Sequence, residues 1–387
     1  MHRFRPFLVF LLAIGLSFCG EGTPESTVEP GVNTAATGGE TQAGSQGEQT
    51  QTTIPGSNTG GTSSPGTVSG GGTTSPAILF GCNTGAQVAE GNNQMTIGGQ
   101  GRSFEAYLPN VTAGTPVAVV FGFHGTGMNP SQVSSFAVAG AHRLVDADPN
   151  FPYVFIAPQG LALWPWNQPR GAEWASFEFE RNDGNIEAAL FEEVLGCLST
   201  SFTIDTQRIY VLGFSGGAIL ANALHSRYPE MVAAVASLSG AWFNDPNTVD
   251  DIQMGFLKSQ INMKWDDLKL SDTGAVLQTH GGEGRDVWPQ PGGMDSQLQM
   301  AGIQPDENGQ VRIISFENSA QFAKDFLPAH NRTLVDCAHE NGHTNHPGIW
   351  GSVVIDFLKI HKAGTQSPIL TDGLPAGIAP HCTLVNQ

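Results

Sequence analysis

Residues 103–108 alternate polar and apolar side chains, the period-two pattern of a half-buried strand. Downstream the apolar pattern turns continuous. PVAVVFGF at 116–123, YVFIA at 153–157 and RIYVLG at 208–213 are followed by similar runs at 232–238 and 274–279, with a weaker one at 334–337. Strands of that kind are buried on both faces, as in parallel sheets. Between them apolar residues recur at helical spacing. Ile186, Ala189, Leu190, Val194 and Leu195 fall within 185–197, an Ala-rich stretch fills 216–227, and Val353, Val354, Phe357 and Leu358 form a stripe within 350–361. Strands alternating with helices predict an α/β fold over 77–387, a mostly parallel sheet with helices on both faces. Residues 244–273 carry no strand pattern and are expected to form a lid or excursion over the sheet.

The N-terminal part reads differently. After the basic start His2, Arg3 and Arg5, residues 7–18 are almost all apolar. As a helix this run rises about 18 Å, short of a hydrocarbon core of about 30 Å. That is the form of a signal peptide over 1–19 and predicts export. Leu16-Ser17-Phe18-Cys19 resembles a bacterial lipoprotein cleavage box, although Phe18 is larger than the usual residue there. Cys19 is therefore expected to carry a lipid, the sole link to a membrane, at the cell envelope; an ordinary signal peptide is the plainer alternative. Residues 20–76 are mostly Gly, Ser, Thr, Gln, Glu and Pro, with no Lys or Arg and almost no large apolar residue, too polar to bury a core, and read as a disordered tether.

Charge narrows the partners. Seventeen Lys and Arg face 35 Asp and Glu, a net charge of −18 that repels phosphate backbones, so nucleic acid is excluded. Setting Cys19 aside leaves Cys82, Cys197, Cys337 and Cys382. In an exported chain these permit two disulfides with three connectivities. Cys82 and Cys382 bracket the domain, and a bridge between them would tie its ends.

Gly213-Phe214-Ser215-Gly216-Gly217 matches G-x-S-x-G. In a chain with 49 Gly the pattern alone says little, and its context decides. It follows the strand RIYVLG at once and opens the helix AILANALHSRY, the strand–turn–helix that a nucleophile elbow requires. Ser215 is the expected nucleophile; the plainer reading makes it a helix cap. Phe123-His124-Gly125-Thr126-Gly127 follows the first long apolar strand, where such a fold places its other oxyanion donor. Thr126 and Gly216 are expected to donate their backbone N–H groups to the oxyanion. His124 precedes the nucleophile and is read as a brace for the loop.

An acid and then a base should follow. Asp286, just beyond the 274–279 strand, is the expected acid, with Glu283 its neighbouring rival and Asp295 a distant one. The base is expected on the loop before the last helix, at His343, with His339 and His346 as alternatives. His339-Glu340-Asn341-Gly342-His343 is also a literal H-E-x-x-H. That zinc motif works only on a helix, and Asn341, Gly342 and the nearby Pro347 oppose one. A zinc hydrolase using His339, His343 and His346 in a loop is the rival reading. A non-catalytic binding protein on a hydrolase scaffold is the third.

RIYVLGFSGGAILANALHSRYPEMVAAVASLSGAW, FGFHGTG, FIAPQG and ENGHTNHPGIWGSVVIDFL together resemble secreted polyhydroxybutyrate depolymerase-like and feruloyl esterase-like hydrolases, in the broad group of the carbohydrate esterases. The resemblance covers about residues 80–362. It implies the α/β-hydrolase fold and matches Ser215 and His343 directly. The acid loop departs, because GGEGR separates His280 from Asp286. The resemblance further implies a serine carboxylic-ester hydrolase with no cofactor or metal. Its substrates would be esters, polymeric ones included: polyhydroxyalkanoates, feruloylated or acetylated polysaccharide, or short acyl esters. Trp164, Trp166, Trp174, Trp242 and Trp288 are candidates to line a cleft for a sugar or aromatic group, or else to pack in the core.

Overall fold

The apolar runs become neighbouring strands. In the computed structural model, which describes residues 80–133, 140–161, 174, 185–242, 274–282, 284–288 and 314–385, the strands are β1 (Gly91–Ile97), β2 (Gln100–Tyr107), β3 (Pro116–Phe123), β4 (Tyr153–Pro158), β5 (Thr203–Phe214), β6 (Val232–Leu238), β7 (Ala275–His280), β8 (Val287–Trp288), β9 (Ile314–Ser315), β10 (Thr333–Ala338) and β11 (Thr383–Val385). Nine of them form one sheet in the order β1-β2-β4-β3-β5-β6-β7-β10-β11, and β8 pairs with β9 in a separate ribbon. From β4 through β3, β5, β6 and β7 to β10 the pairings are parallel. The flanking pairs β1–β2, β2–β4 and β10–β11 are antiparallel.

Both faces of the parallel part are covered, which is why its strands are apolar throughout. On β3, Val117, Val119 and Phe121 enter one core while Ala118 and Val120 enter the other, the period-two alternation of a pleated strand. The first core is closed by helices α1 (Ile186–Leu198), α2 (Gly216–Arg227) and α3 (Phe316–Ala329), through residues such as Phe191, Leu220 and Leu327. The second is closed by α4 (Gly351–Lys359), through Val354, Phe357 and Leu358. Asn185 caps α1, its side chain accepting from the Glu187 and Ala188 N–H groups.

The structure adds elements that the pattern does not announce. β1 reads GNNQMTI, and only Asn93, Met95 and Ile97 of it are buried. α3 reads FENSAQFAKDFLPA and buries Phe316, Ala320, Ala323 and Leu327 at helical spacing, with Ser319 beside them. β5 begins at Thr203 rather than at 208. Residues 1–76 and 244–273, with the leader, the tether and the lid expected there, lie outside the described residues.

The disulfides are Cys82–Cys197 and Cys337–Cys382, so the Cys82–Cys382 bridge is not formed. Local packing decides this. Gly196 of α1 lies so close to Gly81 that an added Cβ would fall 2.4 Å from its carbonyl oxygen, which brings Cys82 onto the neighbouring Cys197. At the other end, Asp336 of β10 pairs with Thr383 of β11, which brings Cys337 beside Cys382.

Candidate active site

Ser215 sits between β5 and α2 with φ 53° and ψ −123°, a conformation that side chains avoid. Tight packing holds it there. A Cβ on Gly213 would lie 2.2 Å from the Gly217 carbonyl oxygen, and one on Gly217 would lie 2.2 Å from that of Phe123. The Ser215 N–H donates to the Leu238 carbonyl at 2.9 Å, tying the bend to β6.

The structure brings together three of the residues read from sequence. Ser215 Oγ lies 2.8 Å from His343 Nε2, and His343 Nδ1 lies 2.6 Å from Asp286 Oδ1. A carboxylate only accepts, so Nδ1 carries the proton and Nε2 is left to accept from the hydroxyl. Asp286 is fully buried, and its Oδ2 accepts the Gly281 N–H at 2.8 Å. Its rivals Glu283 and Asp295 lie outside the described residues.

The loop after β3 lies against the bend. A Cβ on Gly125 would be 3.4 Å from Ser215 Cβ, and Met128 N–H closes a turn onto the Gly125 carbonyl around Thr126. Gly216 is the first residue of α2, where helix geometry gives its N–H no partner within the helix. His124 braces this loop. Its Nδ1 donates to the Gly125 carbonyl at 2.8 Å and its Nε2 accepts the Gly160 N–H at 2.9 Å. Burial lowers its pKa to about 4, so it stays neutral. Trp174 Nε1 donates to the His124 carbonyl at 2.7 Å. Gln159, next to Gly160, accepts from Arg102, which in turn forms a buried ion pair with Glu187 at 2.7 Å.

Trp174 and Trp242 are buried in the core; Trp164, Trp166 and the Trp288 side chain lie outside the described residues. The H-E-x-x-H stretch is not helical. Both ring nitrogens of His343 are engaged, and His346 Nδ1 accepts from the Gly348 N–H. His339 and His346 meet edge to face with ring centroids 5.2 Å apart. Among the described residues, the one group of His, Cys, Asp and Glu donors near enough to share an ion is Cys82, Glu193 and Cys197, and its two sulfurs are joined in a disulfide.

Sequence reasoning missed Phe316, whose ring stacks on the His343 imidazole. Its helix carries an apolar stripe of Phe316, Ala320, Ala323 and Leu327, but that spacing marks core packing and gives no sign that Phe316 meets His343.

Comparison with known proteins gives consistent results. Residues 102–259 match the family model described as esterase PHB depolymerase. Acetylxylan esterase A of Aspergillus ficuum is 27% identical over 153 residues, 37% of this chain and 45% of that protein. Feruloyl esterase B of Talaromyces funiculosus is 25% identical over 134 residues, 35% of each chain. The chain spans less than half the length of these curated relatives. The native crystal structure of pOPH superposes with a TM-score of 0.55 at 20% identity, covering 80% of this chain and 98% of that one. At that identity the likeness is one of fold, and the fold is that of the α/β-hydrolases.

Proposed function

We infer that this chain, a relative of the polyhydroxybutyrate depolymerase-like and feruloyl esterase-like α/β-hydrolases, is an exported serine esterase acting through an acyl-enzyme on Ser215. The observation that carries the reading is the unbroken chain from Ser215 Oγ to His343 Nε2 at 2.8 Å and from His343 Nδ1 to buried Asp286 at 2.6 Å. His343 takes the hydroxyl proton as Oγ bonds to the ester carbonyl carbon. The Thr126 and Gly216 N–H groups stabilise the oxyanion, each such donor contributing about 3 kcal/mol. The C–O bond to the alcohol then breaks, and His343 returns the proton to the departing oxygen. Water, activated by the same imidazole, hydrolyses the acyl-Ser215 ester and releases the acid. Asp286 holds the imidazole tautomer and stabilises its cation. The chemistry needs no cofactor.

A fluorophosphonate probe should label Ser215, and EDTA should leave activity intact. Loss of activity with EDTA and no labelling would favour the zinc reading instead. Equal turnover of p-nitrophenyl butyrate by wild type and Ser215→Ala would favour a binding scaffold. The similar proteins suggest the substrate class: a polyester, or a feruloylated or acetylated polysaccharide. A panel of polyhydroxybutyrate, methyl ferulate and acetylated xylan assigns it.

The N-terminal organisation follows from composition: a signal peptide over 1–19, a tether over 20–76 and the catalytic domain over 77–387, with a lipid on Cys19. Metabolic labelling with a tagged fatty acid tests the lipid, and an unlabelled wild type refutes it.

A further inference from the structure

The β8–β9 ribbon carries two things to His343. Asp286 immediately precedes β8 and supplies the carboxylate, while Phe316 immediately follows β9 and lays its ring on the imidazole. The centroids are 4.3 Å apart and the planes 14° from parallel. A second ring, that of Phe214 next to Ser215, lies 5.1 Å away at 31°.

Phe316 is held from several directions. Val287 pairs with Ser315 across the ribbon, and the Phe316 N–H donates to the Asp286 carbonyl at 2.9 Å. Ser315 caps α3 by accepting the Asn318 N–H at 3.2 Å. The ring is only 1% exposed, so it is not a surface that substrate reaches.

We propose that Phe316 is a positioning residue for the reaction: stacked on His343, it fixes the plane of the imidazole so that Nε2 stays aimed at Ser215 Oγ. The inference rests on the reading of His343 as the base. The Asp286 hydrogen bond fixes one end of the ring but leaves it free to pivot about that bond. A flat neighbour at stacking distance removes the pivot. Its electron-rich face also favours the imidazolium that forms when the hydroxyl proton transfers. Misplacing a reacting group by about 1 Å can cost on the order of 100-fold in rate.

The test compares Phe316→Leu, which removes the flat face, with Phe316→Tyr, which keeps it. The expected result for Leu is a fall in kcat of about 10- to 100-fold with KM within about twofold, and restoration by Tyr. In the full-length wild type, the His343 Cε1–H resonance should be displaced upfield by the ring current of Phe316, and Leu should cut that displacement back to what the more distant Phe214 ring contributes. Wild-type kcat in the Leu variant overturns the proposal, as does an undisplaced wild-type resonance. Ser215→Ala is measured alongside. If it retains activity, the reading of Ser215 fails, whereas the resonance, which needs no turnover, still judges Phe316.

Discussion

Gly281 and Gly342 meet backbone to backbone, and their contact joins the loop that carries Asp286 to the loop that carries His343. The Gly342 N–H donates to the Gly281 carbonyl at 2.9 Å, and a Cβ on Gly281 would fall 1.9 Å from the Gly342 carbonyl oxygen. No side chain fits between them. Asp286 is anchored to one side through the Gly281 N–H, and His343 follows Gly342 on the other.

Gly281→Ala should therefore push the two loops apart. The expected outcome is a loss of kcat on the order of 100-fold, with circular dichroism still reporting the folded sheet. Unchanged kcat would mean that the loops move together and that the contact does not set the geometry.

Asp286→Asn should keep the shape of the site and lose the tautomer. An amide can donate toward Nδ1, which turns the protonated nitrogen toward Ser215. The expected fall in kcat is roughly 10⁴-fold, with Ser215→Ala at least as severe. Measuring p-nitrophenyl butyrate turnover for both variants and their double mutant checks the assignment. If the three residues act as one unit, the double mutant loses little more than Ser215→Ala alone.

Stability should fall in mild acid. Burial lowers His124, His346 and His361 each to about 4, and pushes His225 and His339 down as well. The unfolded chain protonates these imidazoles near pH 6.5. Between about pH 6.5 and 4 the unfolded state thus binds more protons than the folded one, and the unfolding free energy drops as pH falls. Above about 6.5 this contribution is fully present. Thermal melts at pH 7.5, 6.5, 5.5 and 4.5 should show a progressive decline; a flat Tm across that range contradicts it.

Removing either disulfide should destabilise the chain, by about 2–5 kcal/mol each. Cys82–Cys197 closes a span of 115 residues and Cys337–Cys382 one of 45. Chain entropy alone makes the longer closure worth about 0.8 kcal/mol more. Paired Cys→Ser variants melted under identical conditions check the ordering. A reversed order would locate the effect in native packing around Cys337 rather than in the unfolded chain.

The parallel sheet was legible because burial on both faces leaves continuous apolar runs; 116–123 and 232–238 are strands at those bounds. The proximity of Ser215 and His343 was foreshadowed by their constrained neighbours: glycines where no side chain fits, and a loop that runs into α4. The disulfide pairing was not legible, since it depends on Gly81 approaching Gly196 across the fold. Helix α3 was passed over although Phe316, Ala320, Ala323 and Leu327 recur at helical spacing, because polar residues surround that stripe and Pro328 sits in its last turn. Phe316 was hidden with it. Its role depends on a two-residue ribbon that carries no periodic signal of its own.

The bend at Ser215 sets reactivity against durability. Its φ of 53° is one that only glycine adopts without strain, and such strain typically costs about 1–3 kcal/mol. The sturdiest occupant of position 215 would then be one with no hydroxyl at all. Variants selected for heat resistance alone would drift toward Gly there and, on the reading proposed for Ser215, would emerge tougher and inert.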